Sequence, residues 1–324
     1  MRLLATILFV CVLLTACSNS DEPAALTDTL RVATGPAGGT WDSLGEFLTT
    51  AFADAGYAVK LVPGGGVSNV QAVNDGEVDV ALSLGFLAHG AELGTEPFHN
   101  AMPDVTSLGN LYPQYLYALV QEGYAARYNI NTFRDLMNDV PLRLAVLKSG
   151  TASELLARRA IEMCGDNLAG ITMRGGVARV DYATGFKRLV NGEVDVFVFS
   201  MAAPAKAVSQ ARDRASLRIL PMDDDLLEGM RQECGTTVHT IRKDTYLHFD
   251  TDTPVVGDYT CLLVNRNMSE KTAHALAQAL WQHWDELSEI VPAITREDRP
   301  QIFSSHGFPL HPGARRLAQE HQGE

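Results

Sequence analysis

The sequence predicts an α/β protein with two similar lobes and a cleft between them, because one pattern of residues occurs twice. Residues 38–40 read Gly-Gly-Thr, and residues 73–80 read Val-Asn-Asp-Gly-Glu-Val-Asp-Val. Residues 149–151 read Ser-Gly-Thr, and residues 190–196 read Val-Asn-Gly-Glu-Val-Asp-Val. Each copy is typical of a small-residue turn that opens a helix, followed later by a helix that ends at Gly and leads into a buried strand. One Gly-Glu-Val-Asp-Val segment alone is a common way to leave a helix; two with matching upstream turns predict two lobes.

The first copy predicts strands that alternate with helices. Strands are expected over 30–34, 57–62 and 78–82. A helix with one apolar stripe is expected over 40–55, and a short helix passes through Val70 and Val73. This alternation is typical of a parallel sheet covered by helices.

The second copy predicts the same arrangement, with connections back to the first. Strands are expected over 116–120, 142–146, 194–199 and 217–220, and helices over 151–164, 182–190 and 202–212. The apolar run 259–264 has no nearby partner in sequence, so it is expected to rejoin the first sheet. A long helix is expected over 269–291. Two crossings of the chain imply a hinge, with lobe 1 formed by 29–120 plus 236–324 and lobe 2 by 121–235.

The N-terminus has the features of a lipoprotein signal. Arg2 precedes an apolar run too short to span a bilayer, and the run ends in Leu-Thr-Ala before Cys17. We therefore expect 1–16 to be a signal peptide, Cys17 to carry lipid, and 17–28 to include a polar tether. The expected location is periplasmic or at the cell surface, with the chain anchored to the membrane through Cys17.

Charge and cysteine content narrow the classes of partner and cofactor. The net charge of −13 argues against nucleic acid and against docking on anionic lipid. Cys261 lies in an apolar run and is expected to be an inert core residue. A disulfide between Cys164 and Cys234 is left open. No Cys/His spacing resembles a zinc site, so no metal and no cofactor are expected.

Backbone N–H groups at two helix starts predict an anion site. A helix N-terminus has unpaired N–H groups and a favourable dipole. The residues expected to contribute in the two turns are Gly39, Thr40, Ser149, Gly150 and Thr151. Ordinary helix capping is the alternative for both threonines, and the two roles are compatible.

Four further side chains are candidates for ligand contact. Trp41 is either a flat cover for the ligand or the first core residue of its helix, and Asn69 is a ligand donor or a simple cap. Tyr182 either points a hydroxyl into the cleft or is partly buried. Lys148 gains nothing from the helix dipole beside it, so we expect it to pair with an anionic ligand; plain exposure to water is the alternative.

Motifs for catalysis are missing from the sequence. The Gly-rich turn at 35–40 lacks the lysine of a P-loop, and neither Gly-x-Ser-x-Gly nor His-Glu-x-x-His occurs. The chain is therefore not expected to be an enzyme.

Five segments in order resemble the TAXI family of solute receptors from TRAP transporters. They are the Gly-Gly-Thr-aromatic turn at 35–45, the Gly-rich turn and Gly-Glu-Val-Asp at 63–81, Ser-Gly-Thr at 149–151, Ala-Pro at 203–204, and Pro-Leu-His-Pro-Gly-Ala at 309–314. The resemblance implies a type II periplasmic-binding-protein fold, with two α/β lobes joined by a hinge. It also implies a receptor that passes a small carboxylate, such as an amino acid or dicarboxylate, to the membrane permease subunits.

The resemblance implies the architecture, but three departures from the family pattern bear on the identity of the ligand. Gly66 and Ser68 stand where the family usually has Ser and Glu, residues 84–86 read Leu-Gly-Phe where polar residues are common, and Lys148 stands where Gly is common. A lipoprotein that senses its ligand and signals to a membrane kinase is the alternative function, because it needs the same cleft.

Overall fold

The computed structural model describes residues 28–35, 39–292, 294, 299, 302–303 and 309–321. The predicted signal peptide, Cys17 and all but the last residue of the tether lie outside these residues, as does Gly38. In the described part of the chain, no helix combines the length and the apolar character needed to cross a membrane.

A ten-stranded sheet forms the centre of the described structure, in the order β2-β1-β3-β10-β4-β7-β5-β6. β8 pairs with β4, and β9 pairs with β10. The strands are β1 (Asp28–Ala33), β2 (Tyr57–Val62), β3 (Val80–Leu84), β4 (Val105–Gln121), β5 (Arg143–Leu147), β6 (Gly176–Val180), β7 (Val196–Met201), β8 (Leu217–Ile219), β9 (Thr237–Ile241) and β10 (Thr253–Asn265).

Helices cover the sheet between the strands, as the alternation predicted. They are α1 (Thr40–Asp54), α2 (Gly66–Asn74), α3 (Gly85–Leu93), α4 (Glu122–Tyr128), α5 (Ala152–Met163), α6 (Leu168–Arg174), α7 (Tyr182–Val190), α8 (Lys206–Arg212), α9 (Asp224–Cys234), α10 (Glu270–Gln282), α11 (Trp284–Ile290) and α12 (Pro312–His321). The apolar stripe of α1 is buried as expected.

The helix predicted over 269–291 is two helices. His283 has non-helical dihedral angles and separates α10 from α11. The buried residues Leu280, Trp284 and Leu287 continue across the break. Apolar periodicity therefore did not reveal it.

The repeated sequence forms the same ion pair in both lobes. Arg31 on β1 bonds Asp79 through its backbone N–H and guanidinium, with Nε to Oδ2 at 3.1 Å. Arg143 on β5 bonds Asp195 in the same way, again with Nε to Oδ2 at 3.1 Å. Parallel pairing gives the order β2-β1-β3 in one lobe and β6-β5-β7 in the other. The aspartates of the repeat thus tie each helix exit to the central strand.

Two long antiparallel strands, β4 and β10, join the lobes. Residues 260–264 of β10 pair with β3, which confirms that the run 259–264 rejoins the first sheet. Residues 115–120 of β4 pair with β7.

The crossing strands and the segment before β10 extend over the predicted lobe boundaries. Ile241, Tyr246 and Val255 pack in one apolar cluster with Phe197 and Phe199 of β7. This part of 236–324 therefore packs with the second lobe, although the sequence analysis allotted it to the first.

Candidate functional site

A small cavity lies where the two lobes meet the crossing strands. Its volume is about 40 Å³, far below the roughly 300–1,000 Å³ of typical ligand pockets. A ligand the size of an amino acid therefore enters only if the lobes separate. The lining residues come from the start of α1, from β4, from α7 and from the end of β7: Gly39, Thr40, Trp41, Gln114, Tyr182, Ser200 and Met201.

The start of α1 forms the first-lobe wall. Gly39 is the N-cap and is extended, with φ −91° and ψ 166°, and no side chain caps the helix. Trp41 is only 8% exposed and belongs to the core, yet it also lines the cavity. Its Nε1 donates to Thr260 Oγ1 at 3.3 Å. The two roles considered for Trp41 are therefore compatible in this structure.

Buried polar groups on β4 and β10 lie beside this wall, and one of them, Gln114, forms the cavity floor. Gln114 Nε2 donates to the same Thr260 Oγ1 at 2.9 Å. The Tyr112 hydroxyl is buried and has no hydrogen-bond partner among the described residues. Burial raises the pKa of Tyr112 well above its ordinary value, so the hydroxyl stays protonated and able to donate.

The second-lobe wall is built around Ser200. Tyr182 Oη donates to the Ser200 carbonyl at 2.9 Å, and burial raises the pKa of Tyr182 to about 12. The Ser200 N–H donates to Ser153 Oγ of α5 at 2.6 Å. Ser200 itself is 1% exposed, and its Oγ has no partner among the described residues. A buried hydroxyl left unpaired at a cavity wall is available to a ligand.

The structure does not bring Lys148, Ser149 and Gly150 into this cavity. All three are exposed. Thr151 caps α5: its Oγ1 accepts from Glu154 N at 3.2 Å and donates to Lys148 O at 2.9 Å. Contact between these four residues and a ligand remains a prediction.

The charge of Lys148 acts on a neighbour of the cavity. The pKa of Asp181 is lowered, chiefly because its carboxylate accepts the Thr184 N–H at the start of α7, and Lys148 adds to the lowering through its charge.

Asn69 is fully engaged with the backbone. Its Nδ2 donates to Thr34 O at 2.7 Å and Leu82 O at 2.6 Å, and its Oδ1 accepts from Gly65 N at 3.1 Å. These bonds hold the glycine turn before α2.

The lobes touch beside that turn. A Cβ on Gly66 would lie 2.9 Å from Ala152 Cβ, at the first residue of α5. The glycine turn before α2 therefore meets the start of α5, which follows the predicted turn at 149–151, across the interface.

Among the described residues, those that line the cavity carry no charged side chain. An anion held here would bond to the N–H groups of the α1 start and to neutral side-chain donors rather than to a cation. Sequence reasoning missed Gln114 and Ser200, which look like ordinary strand residues. Ser153, two positions beyond the Ser149-Gly150-Thr151 turn, was missed as well.

A buried carboxylate lies next to the floor, on β10. Asp258 is 2% exposed and stands opposite Gln114 in the β4–β10 register. It accepts the N–H groups of Phe86, at the start of α3, and of Tyr259. Burial raises its pKa to about 7, although both N–H bonds act in the opposite direction.

The described cysteines are free thiols. Cys164 and Cys234 are half-buried and unlinked, and Cys261 is buried, as expected for a core residue. Among the described residues, no group of three or more His, Cys, Asp or Glu side chains is placed to hold a metal ion.

The two-lobed sheet and its cavity define the fold of solute-binding proteins. MatC from Rhodopseudomonas palustris with bound malate is 16% identical, with a TM-score of 0.53, and the match covers 90% of this chain and 96% of that one. The chain belongs to the NMT1-like family, whose sequence pattern matches residues 32–321.

Two further solved structures are similar at lower TM-scores. An ancestral arginine-binding protein bound to arginine is 16% identical, with a TM-score of 0.48 and coverage of 82% of this chain and 98% of that one. The periplasmic aliphatic sulphonate binding protein SsuA from Escherichia coli is 16% identical, with a TM-score of 0.43 and coverage of 90% and 84%.

Proposed function

We propose that this protein is the extracytoplasmic solute receptor of a TRAP-type transporter of the TAXI class. In this proposal it closes two lobes on a small organic anion and delivers that anion to the permease subunits in the membrane. The observation that carries the proposal is the cavity, because its walls come from both lobes and its floor comes from the crossing strand β4. A binding protein needs this arrangement, since closing then brings all contacts to the ligand at once.

The lining supports a carboxylate as the ligand. Gly39 and Thr40 offer N–H groups at a helix start, and Gln114 and Ser200 add neutral polar groups. A cationic ligand would meet the positive end of the α1 dipole without a carboxylate in the lining to balance it. MatC with bound malate makes dicarboxylates the first ligands to try, with amino acids next.

The lipid anchor and the absence of catalysis belong to the same proposal. A receptor held on the membrane through Cys17 meets its permease without diffusing away. The lining residues that the structure describes include no acid–base pair of charged groups such as hydrolysis or proton transfer commonly uses. We therefore propose reversible binding without conversion of the ligand.

The first experiment identifies the ligand. The mature chain is purified gently and denatured, and the released molecules are identified by mass spectrometry. A small carboxylate is expected, and titration calorimetry then gives its affinity for the wild type and for Ser200→Ala. Loss of the Ser200 hydroxyl should weaken binding by about 3- to 10-fold. Release of a sugar, a peptide or a cation would contradict the proposal.

A second experiment tests transport. Cells carrying the receptor and its permease should take up the ligand, and cells lacking either should not. Chemical conversion of the ligand by the purified protein would indicate an enzyme instead. Binding without uptake, together with a change in a membrane kinase's activity, would indicate the sensing lipoprotein.

A further inference from the structure

A second, larger space lies beside the cavity, in the groove between α7 and α8. Its volume is about 370 Å³, which falls within the range of small-molecule pockets. Two residues, Tyr182 and Met201, line both the groove and the cavity. The groove therefore adjoins the site proposed above along these two side chains. Its other apolar lining is Ala183, Phe186, Val190, Ala207 and Ala211.

Tyr182 lies between the cavity and the groove, where one hydrogen bond and one ring contact hold its side chain. Its hydroxyl makes a 2.9 Å bond to Ser200 O, and its ring meets Phe199 edge-on at 6.3 Å between centroids. Phe186 also packs on Phe199, at 5.0 Å, and continues the apolar surface away from the cavity. A change in the rotamers of Tyr182 and Met201 would join cavity and groove into one elongated site.

The groove has positive charge where the cavity has none. Lys187 and Arg214 line it, both are exposed, and neither forms an ion pair within the part of the chain that the structure describes. The chain as a whole carries a net charge of −13. Two unpaired cations beside one apolar groove in so acidic a protein favour an anionic group at that position.

We propose that this groove extends the ligand site and receives the carbon chain of an elongated α,ω-dicarboxylate. One carboxylate would lie at the start of α1, the apolar chain would pass Tyr182 into the groove, and the second carboxylate would meet Lys187 and Arg214. The inference rests on the proposed binding function and specifies the ligand class. α7, which lines one side of the groove, has nine residues and is about 13 Å long.

The test is a calorimetric series with succinate, adipate, suberate and sebacate, and with monocarboxylates of matched length. Affinity for the dicarboxylates should rise about two- to fourfold for each methylene added along the groove. Ala207→Phe fills the groove and should remove that gain while leaving succinate binding unchanged. Ala126→Phe is the matched control, because Ala126 is exposed on α4 and does not line the groove; it should behave as the wild type.

A charge variant tests the far end of the groove. The double variant Lys187→Gln/Arg214→Gln should weaken sebacate binding by about 3- to 10-fold and leave the monocarboxylates unaffected. Lys206→Gln is the control, since Lys206 is an exposed cation of α8 outside the groove lining.

The outcomes separate this inference from the function on which it rests. If succinate binds but longer chains bring no gain, or if Ala207→Phe leaves the series unchanged, the extension is wrong and the receptor function stands. If none of these carboxylates binds, the extension is overturned, and the molecule released from the purified protein decides the receptor function separately.

Discussion

Replacing Gly66 with alanine should hinder closure of the lobes. The added Cβ would lie 2.8 Å from Leu87 Cδ1, within the same lobe, and 2.9 Å from Ala152 Cβ, across the interface. Both distances are shorter than real Cβ contacts allow, so something must move. Leu87 can yield by turning its side chain. Ala152 has no side-chain freedom, and its overlap is relieved only when the lobes separate.

The size of the effect follows from the cost of overpacking, about 1–3 kcal/mol. If binding requires the closed form, Gly66→Ala should weaken affinity for the ligand released from the purified protein by about 5- to 150-fold. Gly65→Ala is the matched control, because its Cβ would make an ordinary 3.4 Å contact with Gly150 O, and φ of Gly65 is extended at −159°.

A double variant separates closure from local strain. Gly66→Ala/Ala152→Gly removes the contact across the lobes but keeps the one with Leu87. Calorimetric affinity should return to that of Ala152→Gly alone, whereas any loss of melting temperature caused by Leu87 should persist. If affinity stays low in the double variant, or if Gly66→Ala binds as the wild type does, contact at this interface does not limit closure.

Three other predictions address charge and anchoring. Lys148 is exposed and outside the cavity lining in this structure; if it pairs with the bound anion, as its position beside α5 predicts, Lys148→Met should weaken calorimetric affinity by about 10- to 150-fold, and a change of less than about twofold would show that it is a solvated surface residue. Burial raises the pKa of Asp258 from 3.8 to about 7 in the folded state. Between about pH 4 and pH 7 the carboxyl loses its proton in the unfolded state but keeps it in the folded state, so the contribution of Asp258 to the free energy of unfolding should fall by about 4 kcal/mol over this range. Urea unfolding of Asp258→Asn should lack this contribution, and parallel pH profiles for variant and wild type would contradict the assignment. A fatty-acid analogue should label the wild type in cells but not Cys17→Ala, and equal labelling would exclude lipidation at Cys17.

Local pattern was enough to predict the repeat and many of the elements, although α3, α4, α6, β6, α9, β9 and α12 were not predicted. The stripe of α1 and the Gly-Glu-Val-Asp exits are set by neighbours a few residues apart, so periodicity and turn residues reveal them. The break at His283 is different, because apolar residues continue on the same face of both helices. The placement of 237–256 also escaped prediction, since β9 pairs with β10 only after a loop brings them together.

The site was predictable only where it depends on helix starts. Gly39, Thr40 and Trp41 were found because a small-residue turn before a helix has a local signature. Gln114 and Ser200 lie in strands whose neighbours are apolar, and they become part of one cavity only when the two lobes come together. Asn69 was predicted as a possible ligand donor because it lies at a helix start. In the structure its amide instead forms hydrogen bonds with three backbone groups from separate segments.

The continuity of β4 and β10 through both lobes determines how the protein moves. On β4, residues 105–115 are paired with β10. Opening must therefore bend and twist two hydrogen-bonded strands, rather than rotate the lobes about two flexible loops. Because the two strands stay paired, we expect their resistance to bending to grow with the opening angle and the lobes to close again along the same path. Amide hydrogens in the paired strands should therefore exchange with solvent as slowly as those of the core, although these strands are the part of the molecule that flexes.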